Sequence, residues 1–188
     1  MVYINKDTTY MFEIGQDRKI AALKSSVCAC LFLWMVILME EKYMLEALKE
    51  AKKSFDKGDV PVGAIVVDEN NNIIARAHNE KELKKIATKH AEILVIERAC
   101  KKKKSWRLEK CTIYVTLEPC LMCAGAIMQS RIHKIVYATS NEKFGFVGSI
   151  ENVLDNEKNN HKVKIIKGVL EQESQQILRM FFKQKRKR

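Results

Sequence analysis

Two short stretches constrain this chain more than any other: His90-Ala91-Glu92, and Pro119-Cys120-Leu121-Met122-Cys123. Together they offer three metal ligands, His90, Cys120 and Cys123, and a carboxylate, Glu92, that a three-ligand site does not need. A structural zinc site closes with four protein ligands, whereas a catalytic one keeps a position for water. The count therefore points to catalysis, with zinc acidifying a water and Glu92 moving its proton. Each stretch reads as a helix start. Pro119 suits a first helical turn, where its missing N–H costs nothing. Cys120 and Cys123, three apart, fall on one face of that turn. The positive end of a helix dipole favours the thiolate, which is the form that binds metal.

H-x-E followed by P-C-x-x-C is the known signature of the zinc-dependent nucleobase deaminases, and both halves of it stand in this chain. The likeness goes further. Val60-Pro61-Val62-Gly63-Ala64, His90-Ala91-Glu92-Ile93 and Thr116-Leu117-Glu118-Pro119-Cys120-Leu121-Met122-Cys123-Ala124-Gly125-Ala126 resemble the bacterial tRNA-specific adenosine deaminase family. Ser130-Arg131-Ile132, Gly148-Ser149 and Phe181-Phe182 do so too. The resemblance runs from about Met39 to the C-terminus. A C-x-x-C alone would serve redox or structural zinc sites equally well, and a lone histidine is usually structural. The joint pattern is what carries the reading. His78, His133 and His161 have no such partners and read as structural or solvated. Cys100 and Cys111 read as buried thiols.

What the resemblance implies is specific. The fold would be α/β, a three-layer α/β/α cytidine-deaminase-like architecture with a five-stranded mixed sheet and helices on both faces. The reaction would be hydrolytic deamination of adenosine to inosine at the wobble position of a tRNA anticodon, with one Zn2+ per subunit. The base is extruded from its stack to reach such a site. Asn79 would meet the purine edge, and Val60, Pro61 and Ala91 would line its pocket. Asn141 and Lys143 would lie beside the flipped nucleotide. Relatives carry an aspartate where this chain has Asn141, a change that keeps an acceptor and loses a charge; the expectation is a relaxed demand for a ribose hydroxyl, with neutral drift in a loop as the alternative. The family is homodimeric, and the cytoplasm is its place. Two other readings remain: a deaminase of a free base or nucleoside (guanine or cytosine type), and a zinc-stabilised RNA-binding protein without activity. The basic tail argues against the first, and Glu92 against the second.

Composition bears on partners. The 188 residues make one domain the expectation. A net charge of +11 favours polyanions, nucleic acid above all. Six cysteines at irregular spacing make no disulfide framework and point to a reducing compartment. The C-terminus, Phe181-Phe182-Lys183-Gln184-Lys185-Arg186-Lys187-Arg188, joins aromatics that can stack on bases to cations that can neutralise phosphates. One phenylalanine of the pair is expected in the core. Phe182, Lys185, Arg186, Lys187 and Arg188 are expected to touch RNA.

Residues 1–38 stand apart, as a non-family extension before a single deaminase domain at 39–188. The apolar run Val27–Leu38 is shorter than the roughly 20 residues a membrane span needs, so no membrane is expected. The expectation is that translation begins at Met39. From Glu40 the spacing of Met44, Leu48, Ala51 and Phe55 predicts a helix, stopped at Gly58. Strands are predicted at Gly63–Val67, Ile73–Ala77, Cys111–Thr116, Lys134–Tyr137 and Val163–Ile166, with a turn at 69–72. Thr88 is the expected cap of the His90 helix, whose last turn carries Lys101 to Lys104. A final helix is predicted from Leu170 to Lys183. Such βαβαβ alternation argues for helices packed on a sheet.

Overall fold

The computed structural model describes residues 3–4, 9–11, 23–24 and 27–186, and the side chains of 34–186. The chain divides into two compact units, Met1–Met39 and Glu40–Arg188. The first holds three short antiparallel strands, β1 (Tyr3–Ile4), β2 (Thr9–Met11) and β3 (Leu23–Lys24), in that order. Helix α1 spans Val27–Asp56. It begins well before Glu40, where the spacing places its start, because the apolar run contains neither glycine nor proline to end a helix. Gly58, at φ 78°, closes its far end, and its N–H reaches Phe55 O at 2.9 Å.

The second unit is built on a five-stranded mixed sheet. Its strands are β4 (Gly63–Val67), β5 (Ile73–His78), β6 (Thr112–Leu117), β7 (Lys134–Thr139) and β8 (Lys164–Lys167), in the order β5-β4-β6-β7-β8. β4 is antiparallel to both β5 and β6, while β6, β7 and β8 run parallel. Between them lie α2 (Lys81–Lys84), α3 (Ala91–Lys103), α4 (Leu121–Gln129) and a 3-10 turn at Val153–Asp155; α5 (Glu171–Lys185) closes the chain. α2 has no apolar periodicity to announce it. All five β4 residues are buried, as they must be when helices cover both faces.

The pleat sorts the core. Ala64, Val66, Ile113, Val115, Ile135 and Tyr137 pack with Leu94, Val95, Ala124 and Ile127 of α3 and α4. The alternate residues Ile65, Tyr114 and Val136 are buried on the other face, where Tyr43 of α1 meets the Tyr114 ring at 5.2 Å. Each fully buried Ile or Val contributes about 1.5–3 kcal/mol relative to exposure. α1 reaches the sheet closely at Gly63, where a Cβ would collide with the backbone of Ala47 and Ala51.

Thr88 does not cap α3. His90 itself takes the N-cap position, with extended backbone (φ −74°, ψ 151°), and Cys120 does the same for α4 (φ −73°, ψ 171°). Pro119 therefore lies just outside the helix instead of in its first turn. The predicted turn at 69–72 is held by Asp68, whose Oδ1 accepts the N–H groups of Asn70 and Asn72 at 3.0 and 2.9 Å.

Candidate active site

Strand polarity gathers the chemistry at one end of the sheet. β6 and β7 end there, β4 begins there and β5 ends there; the Gly63 N–H donates to Thr116 Oγ1 at 3.1 Å across that end. Crevices outside the carboxyl ends of parallel strands are where α/β sheets bind ligands. The N-termini of α3 and α4 meet at the same place. His90 and Cys120 are their N-caps, and Glu92 and Cys123 follow within the first turn of each. Two positive dipole ends thus face a group of side chains that includes two thiols and a carboxyl.

The donor atoms of His90, Cys120 and Cys123 lie within 4.8 Å of one another, so the three could hold a metal ion. His90 Nδ1 is 3.7 Å from Cys120 Sγ and 3.5 Å from Cys123 Sγ. The hydrogen bond from the Cys123 thiol, with His90 beside it, holds the Cys120 thiol down at about 4. Sharing that proton, and burial, push the Cys123 thiol up, while the contact with Cys120 raises the His90 imidazole. Burial raises the Glu92 carboxyl. Glu92 is buried at the floor of the site, while Cys120 and His90 are half-buried.

Above this floor opens a cavity of about 760 Å³, within the range of small-molecule and cofactor sites. Of the residues singled out in the sequence, Val60, Asn79, His90, Glu92, Cys120, Asn141, Lys143, Phe182 and Arg186 line it. Cys123 is buried below. Pro61 and Ala91 do not line the cavity: both are buried behind its wall, Ala91 because it occupies the inward face of the first α3 turn. Lys185 is exposed and lies with its ammonium 5.6 Å from the Phe181 ring. Lys187 and Arg188 lie outside the described residues. The phenylalanine pair divides as expected, Phe181 buried against Phe55 and Phe182 45% exposed on the cavity wall. Cys111 is buried, but Cys100 is only half-buried, its thiol 3.7 Å from Trp106 O.

Sequence reasoning missed several residues here. Lys81, Leu117, Phe144 and Leu178 also line the cavity. Glu118 stands in the conspicuous stretch before Cys120, yet nothing in the sequence gives it a role. Its buried carboxylate accepts N–H groups of Asn141, Val147 and Ser149 at 2.9, 3.0 and 2.9 Å, and the Ser149 hydroxyl as well. Burial opposes its ionisation, yet these donors outweigh burial and hold it below the usual carboxylate range. Asp59 is buried too, with both oxygens occupied.

A five-stranded mixed sheet with a histidine and two cysteines at facing helix starts defines a deaminase of the cytidine-deaminase-like fold. The chain belongs to the MafB19-like deaminase family, whose model matches residues 39–186. It is 50% identical over 149 residues to the tRNA-specific adenosine deaminase of Bacillus subtilis (strain 168), covering 79% of this chain and 92% of that one. To the tRNA-specific adenosine deaminase of Aquifex aeolicus (strain VF5) it is 47% identical over 149 residues, 79% of this chain and 97% of the other. Among solved structures, one from work on A-to-I editing by tRNA:A34 deaminases at the wobble position superposes with a TM-score of 0.70. It is 37% identical and the match covers 73% of this chain and 99% of that one. Among the described residues no helix is long and apolar enough to cross a membrane.

Proposed function

We propose that this chain hydrolyses adenosine to inosine at the wobble position of a tRNA anticodon, in the cytoplasm and as a homodimer. The observation that carries the reading is a buried carboxylate, Glu92, that is free of any ligand role beside a three-donor group at the floor of a nucleoside-sized cavity. The ion is zinc. One imidazole nitrogen and two thiolate sulfurs are donors that suit zinc, and His90 Nδ1 lies 3.7 and 3.5 Å from the two sulfurs.

Zinc, when bound by His90, Cys120 and Cys123, would supply a Lewis acid that lowers the pKa of a water toward neutrality. Glu92 would accept a proton from the attacking water as the water oxygen bonds to C6 of adenine, and would deliver that proton to ring N1. It then carries the second proton to the exocyclic amine, which leaves as ammonia while C6 becomes a carbonyl. One carboxylate serves both transfers, so no second acid is needed. Asn79 binds the purine edge and Val60 packs against the base. Lys81, Lys143 and Arg186, all on the cavity wall, are placed to neutralise phosphates flanking an extruded nucleotide.

The test is to incubate the protein with an anticodon stem-loop bearing a wobble adenosine and read that position for inosine. Inosine formation there, and none from free guanine or cytosine, is expected. Turnover of a free base with the stem-loop untouched would replace this reading with the free-base one.

A further inference from the structure

Asp59 is buried to 1% exposure, and among the described residues no cation pairs with it; three N–H groups donate to it instead. Its Oδ1 accepts the Val60 N–H at 2.8 Å and Asn79 Nδ2 at 2.8 Å, and its Oδ2 accepts the Leu83 N–H at 2.9 Å. Two of these partners, Val60 and Asn79, line the cavity, and the third lies in α2 close to the cavity residue Lys81. Asn79 is pinned at its main chain as well. Its N–H donates to Val62 O at 2.9 Å and its carbonyl accepts Ser54 Oγ at 2.8 Å.

An ionised carboxylate only accepts, whereas a carboxamide has one accepting and one donating end. The contact with Asp59 can therefore form only with Asn79 Nδ2 toward it. Turning the amide over would set two oxygens against each other at hydrogen-bond distance. The amide oxygen and the second N–H of Nδ2 are left for the cavity, an acceptor beside a donor. Adenine carries the complementary pair at N6 and N7, while guanine presents two acceptors at O6 and N7.

We infer that Asp59 is a positioning residue: it fixes the orientation of the Asn79 carboxamide and thereby the purine edge this cavity accepts. The inference rests on the adenosine reading above and names a specificity determinant within it. A buried carboxylate held only by N–H groups from three wall segments is otherwise a costly thing to keep in a loop.

The experiment compares the zinc-loaded wild type with Asp59→Asn, Asn79→Ala and the double variant on the wobble-adenosine stem-loop. Asp59→Asn is expected to lower kcat/KM about tenfold. The double variant is expected to be no worse than Asn79→Ala alone, because Asp59 acts through Asn79. Defects that multiply would mean Asp59 works independently and would overturn the assignment. If Asp59→Asn does not fold, Asp59→Glu, which keeps both acceptors at longer reach, replaces it in the cycle. A second measurement needs no turnover: solvent exchange of the Asn79 side-chain amide protons by NMR, slow in the wild type and faster in the Asp59 variant. Equal exchange rates would also overturn it. A wild type that makes no inosine would sink the functional reading, and the exchange arm would still decide the Asp59–Asn79 assignment.

Discussion

Gly145 lies so close to the Glu118 carboxylate that a Cβ on Gly145 would fall within it. The same carboxylate holds the N–H groups of Asn141, Val147 and Ser149, the frame of the loop whose Asn141, Lys143 and Phe144 line the cavity. One buried charge two residues before Cys120 thus holds the cavity wall formed by Asn141, Lys143 and Phe144.

Gly145→Ala should push this loop off Glu118 and raise KM for the stem-loop. Glu118→Gln replaces one acceptor by a donor that faces N–H groups. It should destabilise the fold by about 1–3 kcal/mol, read from urea denaturation. Unchanged KM and unchanged unfolding midpoints in both variants would show that the loop does not depend on this contact.

Glu92→Gln should abolish inosine formation while the purified protein keeps one zinc per chain, measured by elemental analysis. Cys123→Ala, by contrast, should lose the metal. Glu92 has no donor atom in the three-ligand group, and its replacement leaves that group whole. Loss of zinc from Glu92→Gln, or retention of most turnover, would contradict its role as proton shuttle.

How much of this was legible depends on whether the signal is local. The five strands follow from alternation and apolar runs, and they sit within a residue or two of their predicted bounds, as helix and strand ends usually do. The three-donor group was legible although His90 lies 30 residues before Cys120, because H-x-E and C-x-x-C are each short and their residue types are rare. The start of α1 was not, since an apolar run without breakers fits a helix or a strand equally. Thr88 looked like a cap by residue type, but capping is decided by backbone geometry, and His90 has it. Asp59 and Glu118 have no role that their sequence context announces. Apart from the adjacent Val60 N–H on Asp59, their donors come from residues 20 or more positions away (Asn79, Leu83, Asn141, Val147), and such pairings leave no trace in a single sequence.

Glu50 provides an acid-sensitive contact. Burial raises its carboxyl, but Lys53 Nζ at 2.6 Å and His78 Nδ1 at 3.1 Å more than compensate, so the net shift is downward. The unfolded chain therefore binds this proton more readily than the folded one. The contribution is complete above the unfolded pKa and is lost as pH falls through the folded value. Between about pH 7 and about pH 3, Glu50→Gln should show a flatter decline of unfolding free energy than the wild type. Parallel declines would mean that Glu50 is not depressed in the native state.

A chain starting at Met39 is expected to fold and deaminate as the full chain does. Tyr43, Met44, Ala47 and Ala51, the buried residues through which α1 meets the sheet, all follow it. If the shortened protein is insoluble under conditions where the full chain stays in solution, residues 1–38 belong to the fold.

The C-terminal segment divides its labour between two adjacent rings. Phe181 is buried, whereas Phe182 and Arg186 reach the cavity wall. Phe181→Ala should therefore cost about 3–5 kcal/mol of stability, while Phe182→Ala should leave the unfolding midpoint nearly unchanged and raise KM. The cations that follow are expected to act on phosphates. Deleting residues 185–188 should weaken stem-loop binding and make log affinity fall less steeply with log salt, by roughly 0.7–0.9 for each phosphate the tail no longer neutralises. The measurement is a titration of labelled stem-loop at several salt concentrations. A salt slope equal to that of the full chain would leave the tail without a phosphate partner and confine RNA binding to Lys81, Lys143 and the cavity wall.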